Sequence, residues 1–196
     1  MVKKTKKEVF TILQLRYHPN VKKILKEIQK EKKKKYEVEL TYITFRGAWY
    51  DYSWKGDKLK SGGITTNIGV HFFDLLHYIF GNCKENIVHL NDVHRASGYL
   101  ELEKANVRWY LSTDKFDLPK KLNKTQKSYR SLTIDGKEFD LSYGFDDLHD
   151  ICYKEILSGR GFTLKDVWET INIVSKIRSV KPDLGEGFKH TMLKCL

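Results

Sequence analysis

The chain has 196 residues, 40% of them hydrophobic, 31% charged and 13% aromatic, with three prolines. That is enough apolar material for one large core or two small ones, and it excludes disordered, collagenous and low-complexity classes. No run approaches the roughly 18 uninterrupted apolar residues of a membrane span, and the lysine-rich start Met1–Lys7 leads into a strand-like stretch, so a cytoplasmic protein is predicted. Cys83, Cys152 and Cys195 stand at wide spacings, which predicts reduced thiols and no disulfide framework.

Lys and Arg total 36 against 25 Asp and Glu, a net charge of +11, but lysines outnumber arginines 29 to 7. Planar, bidentate recognition of phosphates and bases favours arginine, so this excess is a blunt signal. Many of the lysines, Lys22, Lys23, Lys26, Lys30 and Lys32 to Lys35, fall on what reads as the outer side of an amphipathic helix, and a solvated face accounts for them. A basic nucleic-acid binder is the disfavoured alternative, because no binding motif accompanies the charge.

In chain order, Val9–Leu15 reads as a buried strand, and Pro19 opens a helix in which Val21, Ile24, Leu25 and Ile28 recur at helical spacing. Tyr36–Phe45 alternates polar and apolar side chains, as expected for a strand in a sheet with one wet or differently covered face. The segment Gly47–Gly63 carries Trp49, Tyr50, Tyr52 and Trp54 and is read as a functional loop, being too long for a simple connection. A helix follows through Phe80, stopped by Gly81 and Asn82. Strands then run to Leu141, with a hairpin about Lys104–Asn106 and a tight turn at Ile134–Lys137. Helices over Phe145–Ser158 and Leu164–Ser179, the second capped by Thr163, leave a polar tail from Lys181. The whole, residues 1–196, is predicted to be a single α+β domain: a mainly antiparallel or mixed β-sheet covered by helices on one face, with the other face available for oligomerisation.

The helix after Gly62 and Gly63 carries the most informative pattern. Asn67, His71, Asp74 and Tyr78 share one side of it, while Ile68, Phe72, Leu75, Leu76 and Ile79 make a core side. An ordinary wet side would carry Lys and Glu. A histidine beside a carboxylate can exchange protons near neutral pH and be oriented for it, although the spacing equally suits a buried hydrogen-bonded pair. His149 and Cys152, with Asp146, Asp147 and Asp150 nearby, have weak metal-ligand spacing, and no metal site is predicted. Neither a phosphate-binding loop nor a nucleophile elbow is present.

The segments Leu13–Pro19, Tyr42–Tyr50, Ser53–Asp57, Gly62–Asp74, Asp147–His149 and Ile156–Phe162 together resemble the C-terminal substrate domain of the Gfo/Idh/MocA oxidoreductases, in the branch of UDP-N-acetylglucosaminuronate 3-dehydrogenases. The Gly-x-Gly-x-x-Gly loop and the Glu-Lys-Pro motif of that family's Rossmann domain do not occur in these residues. The resemblance implies His71 as the acid/base at the sugar hydroxyl, Asp74 orienting it, and Asn67 beside the substrate. It implies Arg16 and Arg46 as contacts to an anionic part of the ligand, and Tyr50, Ser53, Trp54 and Lys55 as a loop enclosing the sugar acid. The activity implied is NAD-dependent oxidation at C3 of a UDP-sugar acid, with NAD held in the full-length enzyme, no cofactor expected for this chain alone, and the fragment by itself inactive. A homo-dimer or tetramer built through the open sheet face is implied as well. The rival reading is a non-catalytic binding or oligomerisation module of the same fold.

Overall fold

The computed structural model describes residues 7–31, 35–120, 127–139, 141, 144, 147–183, 185 and 187–194. Its strands are β1 (Phe10–Thr11), β2 (Tyr36–Thr44), β3 (Cys83–Asn91), β4 (Arg95–Leu102), β5 (Ala105–Ser112), β6 (Ser128–Ile134), β7 (Lys137–Phe139) and β8 (Phe162–Thr163). Its helices are α1 (Pro19–Lys30), α2 (Ala48–Tyr52), α3 (Lys58–Ser61), α4 (Val70–Phe80), α5 (Leu148–Leu157), α6 (Leu164–Ser179) and α7 (Thr191–Lys194). Six strands form one mixed sheet in the order β3-β4-β5-β2-β6-β7, antiparallel except where β2 lies parallel to β5. The α+β expectation is met, with α1, α4 and α6 covering one face.

Period-two alternation explains which face is covered. Tyr36, Val38, Leu40 and Tyr42 of β2 point inward with Ala105, Val107, Trp109 and Leu111 of β5, and α1, α4 and α6 supply the opposing side of the same core. Phe73 of α4 meets Trp109 edge to face with ring centroids 5.1 Å apart, both fully buried. Each such side chain contributes on the order of 1.5–3 kcal/mol by leaving water. In α1 the buried positions are Val21, Ile24 and Ile28, while Lys22, Lys23, Lys26 and Lys30 are exposed, as the solvated-face reading expects. Lys32–Lys34 lie outside the described residues.

Several local expectations are corrected. Val9–Leu15 is not a strand: two residues pair with β8, and Gln14–Tyr17 winds into a 3-10 turn that swings Arg16 inward. The long aromatic loop folds into α2 and α3, the latter capped by Asp57, whose carboxylate accepts from the backbone N–H of Leu59 and Lys60. Helix α5 begins at Leu148, and Phe145 and Asp146 are outside the described residues, as is Cys195. Helix α6 matches its expected span, and Thr163 and Asp166 close a capping box at its start.

The polar tail is also corrected, for it straps the second sheet face. Asp183 N–H donates to the Val88 carbonyl at 2.7 Å, Phe188 stacks on Tyr99 at 4.5 Å between centroids, and His190 stacks on Tyr110 at 5.6 Å. His190 Nε2 lies 3.1 Å from Thr41 Oγ1, and Thr191 N–H donates to Glu39. The strap therefore crosses β4, β5 and β2 in turn. A second copy approaching this face would meet the strap as well as the strands.

Candidate functional site

The turn Thr65–Gly69 leading into α4 is a π-helix, a geometry often found at functional sites because its wider turn re-aims the side chains around it. Gly69 is required there, since a Cβ would stand 2.7 Å from Phe73 and 2.8 Å from Leu111 where the turn presses on β5. From this turn Asn67 and His71 face a cleft of about 220 Å³. Tyr42 and Phe72, with ring centroids 4.7 Å apart, make its apolar wall together with Ile68 and Leu15. Arg46, Arg130 and Gln14 complete the lining. Gln14 Oε1 is buried with no hydrogen-bond partner among the described residues, an acceptor that a ligand hydroxyl or amide would satisfy.

His71 has an exposed edge, yet loss of water around the ring holds its pKa below the usual 6.5; nearby Asp74 pulls it up and His149 pushes it down as lesser effects. The imidazole is therefore neutral at pH 7, with a lone pair able to take a hydroxyl proton. Asn67 donates its amide to the carbonyls of Lys55 at 3.2 Å and Gly63 at 3.3 Å, tying the aromatic segment to the helix.

Asp74 and Tyr78 lie elsewhere. Asp74 is buried and accepts from Arg16 Nη2 at 2.7 Å, Arg16 Nε at 3.0 Å and Thr170 Oγ1 at 3.0 Å. Arg16 is also buried, donates to the Asp166 carbonyl, and lies 4.7 Å from the Tyr78 ring and 4.6 Å from that of Phe162. The described hydrogen bonds of Asp74 thus run to Arg16 and Thr170 and none to His71. Arg16 is committed to an internal ion pair, where the resemblance had implied a ligand contact. The reason is electrostatic: once the 3-10 turn buries the guanidinium, only a partnered carboxylate makes that burial tolerable.

A second cleft, of about 360 Å³, shares Arg46 with the first and is lined also by Tyr50, Asp51, His94, Lys115 and the rings of Phe45 and Phe116. Burial raises the Tyr50 phenol pKa, while Arg46 and Asn67 act in the opposite direction. Ser53, Trp54 and Lys55 line neither cleft. Ser53 Oγ bonds the Tyr50 carbonyl at 2.8 Å, and the Lys55 ammonium sits 5.8 Å from the Trp49 ring and 6.0 Å from that of Trp54.

Sequence reasoning missed Gln14, Tyr42 and Arg130. For Arg130 a signal existed: it occupies an inward-facing position of β6, in step with Leu132 and Ile134, where an aliphatic residue is the norm. Its guanidinium lies 5.1 Å from the Tyr42 ring.

These residues do not fit a dinucleotide. The only paired glycines, Gly62 and Gly63, end α3, and their turn is filled: Thr66 Oγ1 donates to the Gly62 carbonyl at 3.0 Å and would stand 2.4 Å from a Cβ on Gly62. No open strand-turn-helix cradle for a pyrophosphate occurs among the described residues. Nor do three or more His, Cys, Asp or Glu side chains gather there in a way that could hold a metal ion. No helix among them is long and apolar enough to cross a membrane.

Residues 31–138 match the family model described as the C-terminal alpha/beta domain of the Gfo/Idh/MocA oxidoreductase family. The chain belongs to that family. Among solved structures, this Gfo/Idh/MocA domain is similar to the WlbA (WbpB) dehydrogenase of Thermus thermophilus in complex with NAD and UDP-GlcNAcA: 41% identity and TM-score 0.92, over 97% of this chain and 62% of that one. The same enzyme in complex with NAD and alpha-ketoglutarate matches at 41% identity and TM-score 0.92, over 96% of this chain and 62% of that one. The WlbA dehydrogenase of Chromobacterium violaceum, in complex with NADH and UDP-GlcNAcA, shares the fold at 16% identity and TM-score 0.68, over 90% of this chain and 61% of its own. The chain therefore spans a little under two thirds of the length of these enzymes.

Proposed function

We propose that this chain is the substrate domain of an NAD-dependent dehydrogenase that oxidises C3 of a UDP-N-acetyl-hexosaminuronate. The observation that carries the reading is the convergence, in one 220 Å³ cleft, of a neutral His71, an unsatisfied Gln14 acceptor and the cations Arg46 and Arg130. A hexuronate offers the complement: hydroxyls to donate, an amide, and a carboxylate that planar guanidinium groups recognise. The similarity to the Thermus thermophilus WlbA, whose complex contains UDP-GlcNAcA, supports the same ligand class.

In this reading Asn67 and Gln14 orient the sugar ring, Arg130 meets the carboxylate, and Nε2 or Nδ1 of His71 accepts the proton of the hydroxyl that becomes a ketone. The Arg16–Asp74 pair positions the helix that carries His71 and does not touch the sugar. Hydride acceptance lies outside the chemistry these residues supply.

The test joins the chain to the part of the Thermus thermophilus enzyme that lies outside the match. The fusion is expected to reduce NAD on UDP-GlcNAcA, and His71→Asn to lower kcat by about 10²–10⁴-fold, the usual contribution of one acid/base group. A folded fusion that binds UDP-GlcNAcA but transfers no hydride would make the domain a binding module and refute the proposal.

A further inference from the structure

The strap over the outer sheet face has an unusual anchor. Of its described residues between 181 and 193, His190 alone is buried, where an aliphatic side chain is the ordinary choice. Both ring nitrogens are engaged: the backbone N–H of Met192 donates to Nδ1 at 3.1 Å, and Nε2 lies 3.1 Å from Thr41 Oγ1. Because Nδ1 accepts, the neutral ring carries its proton on Nε2 and donates it to Thr41. A second proton would have to bind at Nδ1, facing the Met192 N–H. The imidazolium and the strap's own hydrogen bond therefore exclude one another.

The charges around the ring do not reverse this. Burial dominates and lowers its pKa to about 4; Glu39 of β2, 3.8 Å from Nε2, and the Leu40 backbone favour the proton, and Arg108 of β5 opposes it. Burial also raises the pKa of the Tyr110 phenol, so the ring on which His190 stacks is uncharged. A second imidazole lies where the strap crosses β3. His89, next to the Val88 carbonyl that accepts from Asp183, is buried, and its Nδ1 has no hydrogen-bond partner among the described residues. Burial lowers its pKa too, with Lys189 of the strap acting in the same direction and Asp183 in the other. The strap is strained as well: Phe188 has φ 58°, a left-handed conformation that a bulky side chain rarely adopts, while its ring stacks on Tyr99. We propose that the strap is a proton-operated latch, released from the outer sheet face by proton uptake at His190 and His89 while the core side of the sheet stays folded. Release uncovers Tyr99 and Tyr110, both buried when the strap is seated.

The experiment follows amide hydrogen exchange by NMR at pH 7 and pH 5, with rates corrected for the intrinsic pH dependence of exchange. A ring whose pKa is 6.5 when free and about 4 when seated binds its proton more readily once released, so His190 alone makes opening about twentyfold more favourable at pH 5 than at pH 7. Protection at the Asp183, Thr191 and Met192 amides is expected to fall by at least about that factor, while Val107 and Trp109 in β5 keep theirs within about twofold. His190→Gln combined with His89→Gln, which leaves nothing to titrate at either position, should abolish the fall. Strap protection that is equal at the two pH values, that is lost in step with β5, or that falls as steeply in the double variant would each overturn the inference. If the double variant lacks strap protection already at pH 7, the parent chain decides: ring nitrogen shifts of His190 that titrate together with strap opening support the latch, and separate midpoints overturn it.

Discussion

The two ends of one helical stretch behave as different materials. Asn67 and His71 open onto a cleft, while Asp74, one turn further on, is buried and accepts three hydrogen bonds, two from Arg16 and one from Thr170. Both ends carry polar residues on the same sequence period. What separates them is the partner: at the first end the sheet and the Gln14 turn stand back, and at the second Arg16 closes the gap. A polar stripe on an apolar helix thus marks where hydrogen bonds are needed, and the packing of distant segments decides which of them face a ligand.

The largest expected effect tests the sealed end. Asp74→Ala strands the buried Arg16 guanidinium and should cost about 3–5 kcal/mol in urea denaturation, whereas Asp74→Leu combined with Arg16→Met should recover most of that loss. His71→Asn, at the open end, should stay within about 0.5 kcal/mol of the parent in the same measurement. Equal costs at the two positions would erase the distinction drawn between them.

A smaller effect concerns acid. Burial lowers the His190 pKa from 6.5 to about 4, opposed by Glu39 and reinforced by Arg108. A histidine depressed on folding binds its proton more readily when unfolded, so its contribution is whole above pH 6.5 and is lost as pH falls from there toward 4. Thermal melts should accordingly drop between pH 7 and 5, and His190→Gln should flatten that part of the profile; an unchanged slope would show that the strap is not held by this ring.

The smallest effect is expected at the aromatic segment. Lys55→Ala removes a cation shared between Trp49 and Trp54, outside both clefts, and should alter the Kd for UDP-GlcNAcA less than about twofold, against about tenfold for Arg130→Ala. A large loss at Lys55 would mean that the segment closes over the ligand, as the family resemblance implies.

Much of the scaffold was legible beforehand because its signals are local. Alternation in Tyr36–Thr44, the Pro19 start, the turn at Asp135 and Gly136 and the Thr163 cap each follow from a few neighbouring residues, and each is found where expected. The site was legible in part. Asn67, His71 and Arg46 do meet in one cleft, but Gln14 was hidden inside an apolar run that winds into a 3-10 turn, and Arg130 lies 63 positions from Asn67 along the chain. Nothing in a linear pattern announces such a meeting.

By itself, then, the amino-acid order determined the helical and extended periods, their caps and turns, the family to which they belong, and a short roster of proton-active side chains. The tertiary structure alone decided that Arg16 neutralises Asp74 across 58 positions, that the turn before α4 widens into a π-helix, and that the tail folds over the outer sheet face. The physical reason is that a charge leaving water must find its counter-charge wherever the folded chain offers one, and that choice is made in space, between segments whose order along the chain carries no record of their contact.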